Sequence, residues 1–218
     1  MSTKPDVTPP VYTRENYKSY CDVLASLNER LAGTIEQYGY PDFWHRDPGF
    51  DALVRIILEQ QVSLASGRAA YDKVQDLSGG LTPNSLLALS DADLKGCGFS
   101  RQKSVYTRAL AEVVASGELD VDALPTLPDG EIHRRLSAIK GIGEWTVNVY
   151  LLISLHRLDV FPMGDIALIN TMKQHDFLPS KYTKERLGAE ARRFKPYRSI
   201  FALLLWHEYL SRKGGSME

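Results

Sequence analysis

Residues 129–156 read DGEIHRRLSAIKGIGEWTVNVYLLISLH, and how this stretch divides decides the fold. Apolar residues recur at helical spacing before Lys140 and again after Gly143. The spacing predicts a helix over about 129–138, a tight hairpin, and a second helix over about 143–156. Glycine costs a helix about 1 kcal/mol relative to alanine. Two of them bracketing Ile142 imply that something approaches the backbone closely there. Amides of Gly141, Gly143 and the next helical turn sit at the positive end of a helix dipole. Such a backbone can hold a phosphate oxygen, with Thr146 adding a hydroxyl and Lys140 a charge. The same pattern also fits a C-cap glycine followed by a new helix with no ligand.

Working outward, nearly every segment keeps helical period. Tyr17, Tyr20, Leu24, Leu27, Leu31 and Ile35 form one stripe over residues 14–38. Phe50, Leu53, Val54, Ile57 and Leu58 form another. Ser63, Thr82 (before Pro83), Ser90, Ser100 and Asp165 read as N-caps, and Gly79–Gly80 as a helix stop. Further helices are expected over about 183–193 and 197–212. No alternating strand pattern longer than four residues and no internal repeat occurs. The fold class is therefore all-α, with about ten helices.

The chain has 218 residues, 44% hydrophobic and 24% charged, with a net charge of −1. A near-neutral chain is no general polyanion binder, so any nucleic-acid contact must be local. No apolar run reaches the roughly eighteen residues of a membrane span. The N-terminal MSTKPDVTPPVYT is polar and lacks a secretory apolar core, so residues 1–12 are expected to be a flexible lead-in. Cys21 and Cys97 are too far apart in sequence for a metal-binding spacing and fit a reduced compartment. Two thiols cannot hold an iron–sulfur cluster, which needs four.

The segment LSAIKGIGEWTVNVYLL (136–152) resembles the hairpin of the helix-hairpin-helix DNA glycosylase superfamily, specifically its 3-methyladenine DNA glycosylase II type. ALVRIILEQQVSLASG (52–67), GFSRQKSVYTRALAE (98–112) and KPYRSIFALLLW (195–206) match the same family in order. The likeness covers most of residues 50–210 and takes the compact form, without the mixed α/β domain of longer members. Lys140 stands where the family often has proline, and Val149 where it has an aromatic residue. The resemblance implies two helical lobes around a cleft. One is a central lobe over 50–165, and the other gathers 13–49 with 166–218.

The resemblance also implies a chemistry. Relatives that cut the strand carry a lysine two positions after the second hairpin glycine, and here that position is Trp145. Hydrolysis without strand cleavage is therefore expected. The implied catalytic group is Asp165 in VFPMGDIAL, a carboxylate that would stabilise an oxocarbenium-like sugar. Taken alone, Asp165 reads first as a helix cap. Asp159 is the nearest rival, expected as a solvated loop residue. Trp145 and Trp206 match aromatic pocket positions, with Tyr150 and Tyr197 as neighbours, for stacking on a cationic, flipped-out alkylated purine. Relatives place their wedge at the turn holding Gln60 and Gln61. Gln61 takes that role here and Gln60 a base-contact or packing role, unless the pair caps the turn. Arg101 and Lys103 are candidate phosphate contacts, or a solvated helix end. Carbonyls of Ser137, Ile139 and Ile142 match those that hold a monovalent cation (Na+ or K+) in relatives. No other cofactor is implied. The expected partner is damaged double-stranded DNA, bound by a monomer in a bacterial cytoplasm at the nucleoid. Two alternatives are a glycosylase for a deaminated base or uracil, and a non-catalytic damage-binding protein.

Overall fold

The computed structural model describes residues 9–214, and among them twelve α-helices and no strand. In chain order they are α1 Tyr17–Leu27, α2 Glu29–Tyr38, α3 Phe50–Glu59, α4 Leu64–Ser78, α5 Pro83–Ala88 and α6 Asp91–Gly96. Then come α7 Arg101–Ala115, α8 Asp129–Ser137, α9 Glu144–Ile153, α10 Ile166–Gln174, α11 Lys184–Arg192 and α12 Arg198–Arg212. No helix among the described residues is long and apolar enough to cross a membrane. Ser63, Thr82, Ser90, Ser100 and Asp165 each cap the helix assigned to them, accepting a backbone N–H with the side chain. The stripe over 14–38 is not one helix. Asn28 adopts extended backbone and caps α2 by accepting from Arg30 N, which ends α1 at Leu27.

The chain divides by contacts into two units, residues 46–150 and residues 9–45 with 151 onward, so the boundary at 150/151 falls inside α9. The sequence reading set the corresponding limits at 50 and 165.

In the first unit α3 is buried along nearly its whole length, from Phe50 to Glu59. α4 and α7 pack on it, and α5 and α6 pack on α7. A side chain at Gly67 of α4 would place its Cβ 2.7 Å from Glu59 Cγ and 3.0 Å from Glu59 Cα. Glycine is what lets α4 cross the end of α3 backbone to backbone. The buried Glu59 carboxylate is held by both guanidinium nitrogens of Arg46 at 2.7 Å, with Arg55 at 3.4 Å. A buried carboxylate is tolerated there because it is paired in this bidentate way.

In the second unit α12 is central, buried without interruption from Ser199 to Trp206, and α1, α2 and α10 pack on it. Buried Glu208 joins three helices. It accepts from Thr34 of α2 at 2.6 Å, contacts His175 Nε2 at 2.6 Å and pairs with Arg212. Residues 1–8 of the expected lead-in lie outside the described residues. Residues 9–12 are not flexible: Tyr12 is buried, its hydroxyl donates to Leu152 O at 2.7 Å, and Leu158 N donates to Pro10 O at 2.8 Å.

His156 follows α9 with a left-handed φ of +50°. Its ring lies against Tyr12 at 5.0 Å and Phe43 at 4.8 Å, with its Nε2 3.3 Å from His45 Nδ1. Burial, reinforced by His45, lowers its pKa from 6.5 to about 4. The unfolded chain therefore binds the proton more readily than the folded one. The stability this ring contributes is complete above about pH 6.5 and is lost as pH falls toward about 4. The urea midpoint of unfolding is expected to fall between pH 6.5 and 4.5, above the range where carboxylates titrate. His156→Phe should flatten that limb. An unchanged slope in the variant would assign it to another group.

Candidate nucleic-acid interface and carboxylate site

The hairpin lies in the first unit. α8 ends at Ser137, and Ile142 N donates to Ile139 O at 3.1 Å to close the turn. Gly143 O accepts from Val147 N at 3.1 Å, so Gly143 is the cap residue of α9. The two glycines are there for different reasons. Gly141 has φ +91°, and a Cβ on it would lie 2.0 Å from Cγ of the Tyr106 ring. Gly143 is exposed, and a Cβ on it would meet nothing within 4 Å. Internal packing therefore demands Gly141 but not Gly143. A flat, side-chain-free surface at the positive end of α9 is what a phosphate oxygen needs. Lys140 beside it is exposed, as is Arg101, and neither forms an ion pair with another described residue. His133 Nε2 and Asn148 Oδ1, 3.0 Å apart, tie α8 to α9.

Thr146 and Lys103 do not sit as the sequence suggests. Thr146 is only 1% exposed, and its Oγ1 accepts from Gln60 Nε2 at 2.9 Å. It braces the hairpin from inside and presents no hydroxyl to solvent. Lys103 is partly buried, and its Nζ donates to the carbonyl of Leu58, one of the orphan acceptors at the end of α3. Desolvation lowers its pKa, with Glu59 opposing the shift. Gln60 donates to Gly141 O at 3.0 Å as well as to Thr146, which gives it the packing role. Gln61 is exposed with φ +57°, and Val62 after it is 44% exposed. Val62 was missed: nothing in the one-dimensional pattern marks it as protruding. Trp145 is half-buried in the first turn of α9. Tyr150 is fully buried, its phenol pushed well above its ordinary pKa by desolvation, and Val149 is buried too. Tyr150 is a core residue of this unit.

The carboxylate lies in the second unit. Asp165 caps α10, and its Oδ1 accepts from Leu168 N at 3.0 Å and from Trp206 Nε1 at 3.1 Å. The cap reading and the functional reading thus describe one side chain: the bonds that cap the helix also fix the carboxylate. Trp206 is 6% exposed and its ring tilts against Trp44 at 5.9 Å. Trp44 was also missed, because it lies in an irregular loop with no periodicity to assign it. Asp159 is not a solvated loop residue. Its Oδ1 accepts from Arg198 Nε at 2.6 Å while its carbonyl accepts from the same guanidinium at 2.6 Å. The Tyr197 ring lies tilted against Tyr20 of α1 at 5.3 Å. It is the N-cap residue of α12, nine positions before Trp206, about 14 Å along the axis and about half a turn around it. It therefore does not join Trp206 in one aromatic face.

Comparison with known proteins identifies the family. Residues 54–196 match the model of the HhH-GPD superfamily base excision DNA repair proteins. A putative DNA-3-methyladenine glycosylase of Bacillus subtilis is 30% identical over 191 residues, covering 84% of this chain and 64% of that protein. The chain thus spans just under two thirds of that relative's length. A crystal structure of a Bacillus halodurans DNA-3-methyladenine glycosidase superposes with a TM-score of 0.70 at 30% identity, over 91% of this chain and 93% of that one. A 3-methyladenine DNA glycosylase of Schizosaccharomyces pombe, in complex with abasic DNA, gives a TM-score of 0.79 at 25% identity, over 89% and 97%. With more than half its length matched by the family model, and with the hairpin and the capping aspartate in place, this chain belongs to the HhH-GPD superfamily of base excision DNA repair proteins.

Proposed function

We propose that the chain is a monofunctional DNA glycosylase. It binds damaged double-stranded DNA, extrudes an alkylated purine of the 3-methyladenine or 7-methylguanine type and hydrolyses its N-glycosidic bond, leaving an abasic site. The observation that carries this reading is Asp165, whose Oδ1 is fixed by Leu168 N and Trp206 Nε1 at the N-terminus of α10. As the base leaves, positive charge builds on the deoxyribose. A carboxylate held in place stabilises that charge without reorganising and can orient the incoming water. An alkylated purine already carries positive charge and leaves readily, so strong protonation of the base is not required. Trp145, half-buried beside the hairpin, offers a ring for such a cationic base. It stands at the position where strand-cutting relatives carry an amine, so no Schiff base forms and the strand stays intact.

The hairpin grips the strand. Gly143, exposed and without steric demand on its Cβ, lets a phosphate reach the backbone, with Lys140 and Arg101 adding charge. The carbonyls of Ser137, Ile139 and Ile142 are the groups that would hold a monovalent cation. Ser137 ends α8, where carbonyls lack intrahelical donors, and an all-oxygen donor set suits a hard cation. Such an ion would add positive charge for the same phosphate. Gln61 and Val62, exposed at the α3–α4 turn, fill the gap left by the extruded base.

The test is incubation with duplexes that each hold one defined lesion, followed by chromatography for free base. Release of alkylated purine, with strand scission only after added alkali, is the expected result. Release of uracil or hypoxanthine alone would reassign the substrate. Binding with no release from any duplex would leave a non-catalytic binding protein.

A further inference from the structure

We infer that Gln60 is a positioning residue that couples the phosphate-gripping hairpin to the exposed turn at Gln61 and Val62, so that strand binding at one drives base-pair opening at the other. This deepens the glycosylase reading and rests on it. Three consecutive residues before the turn are anchored in three directions. The Leu58 carbonyl accepts from Lys103 Nζ on α7. The Glu59 carboxylate is clamped by Arg46 at 2.7 Å. The Gln60 amide spends both its hydrogens on the hairpin, at 3.0 Å to Gly141 O and 2.9 Å to Thr146 Oγ1. Gly67 closes the other side, where α4 crosses Glu59 at backbone distance. The chain then turns outward through Gln61, held at φ +57°, a conformation a non-glycine residue keeps only when its surroundings impose it.

Gln60 is the member of this set that reaches the hairpin. Its partners flank Gly143, one on the peptide before Ile142 and one in the first turn of α9. Opening a base pair costs free energy in lost pairing and stacking. A turn on a yielding base would bend instead of transmitting that load. A turn bolted to the phosphate grip fixes the distance between the held phosphate and the inserted side chain. Part of the binding free energy then goes into opening the pair.

The experiment compares the unaltered chain with Gln60→Met, which keeps length but has no donor, and Thr146→Val. Each is given 7-methylguanine paired with cytosine, and the same lesion opposite an abasic analogue, where no pair has to be opened. Gln60→Met is expected to slow single-turnover release from the paired lesion about 10–100-fold and from the unpaired lesion by less than about threefold. Thr146→Val should follow the same split, and the double variant should be no slower than Gln60→Met alone. Where Gln60→Met does not fold, Gln60→Glu, similar in size but without amide hydrogens, takes its place with the same expected split. Equal losses on both duplexes, or no loss on the paired one, overturn the coupling. If the unaltered chain releases no base from either duplex, the glycosylase reading falls by itself. The coupling is then judged by permanganate oxidation of thymines beside the lesion. Oxidation that the unaltered chain induces and Gln60→Met does not upholds it; equal oxidation removes it.

Discussion

Asp165→Asn is expected to lower single-turnover base release by about 100- to 10,000-fold while leaving folding and DNA affinity nearly unchanged. Asparagine caps helices as well as aspartate does, so its amide oxygen can still accept from Leu168 N and Trp206 Nε1. What disappears is the negative charge and, with it, the capacity to take a proton from water. The variant therefore separates chemistry from architecture. Asp165→Ala does not, because it also removes the cap, at about 1 kcal/mol. Release is followed by rapid quench and chromatography, affinity by fluorescence anisotropy on an abasic duplex, and stability by urea. Retention of release within about tenfold of the unaltered chain would strip Asp165 of its role.

Local rules made much of the fold readable, and long-range pairing made the rest unreadable. A serine three residues before the N–H it accepts is a local event, so Ser63, Ser90 and Ser100 are legible as caps in the sequence itself. Asp165 was readable for the same reason, as a cap, and the family resemblance added the chemistry expected of it. Asn28 was equally local but was hidden by an apolar stripe that continues in phase across it. The inward-facing polar residues were hidden for a different reason. Thr146, Lys103 and Gln60 look like surface polar groups near a hairpin. Each is turned inward by a partner far away in sequence: Gln60 for Thr146, Leu58 for Lys103, Gly141 for Gln60. Trp44 against Trp206, and Tyr106 under Gly141, are likewise pairings that no spacing within one segment encodes. The fold class rests on periodicity, which is local. The distinction between a residue that faces a ligand and one that holds the residue facing it rests on packing, which is not.

Substituting the two hairpin glycines should give opposite results. Gly141→Ala meets two penalties at once. Alanine at φ +91° costs about 1–2 kcal/mol, and its methyl carbon would lie 2.0–2.4 Å from three atoms of the Tyr106 ring. Tyr106 must move, and Gln102, whose Nε2 donates to its hydroxyl at 2.5 Å, must move with it. A total loss of about 3 kcal/mol or more is expected, about 6–12 °C in Tm for a chain of this size. The carbonyl that receives Gln60 shifts as well, so DNA affinity should fall with stability. Tyr106→Gly in the same chain should recover the steric part but not the backbone part, which makes the two substitutions non-additive. Gly143→Ala meets neither penalty. Its φ is not in the left-handed region and its Cβ points into open space, so stability should stay within about 0.5 kcal/mol. Its cost appears only when a phosphate has to occupy that space, as a loss of affinity for duplex DNA measured at fixed salt. A Gly143→Ala chain that binds DNA as tightly as the original would show that no strand approaches the hairpin there. Whatever the chain then did with Asp165, it would not hold its substrate by the α9 N-terminus.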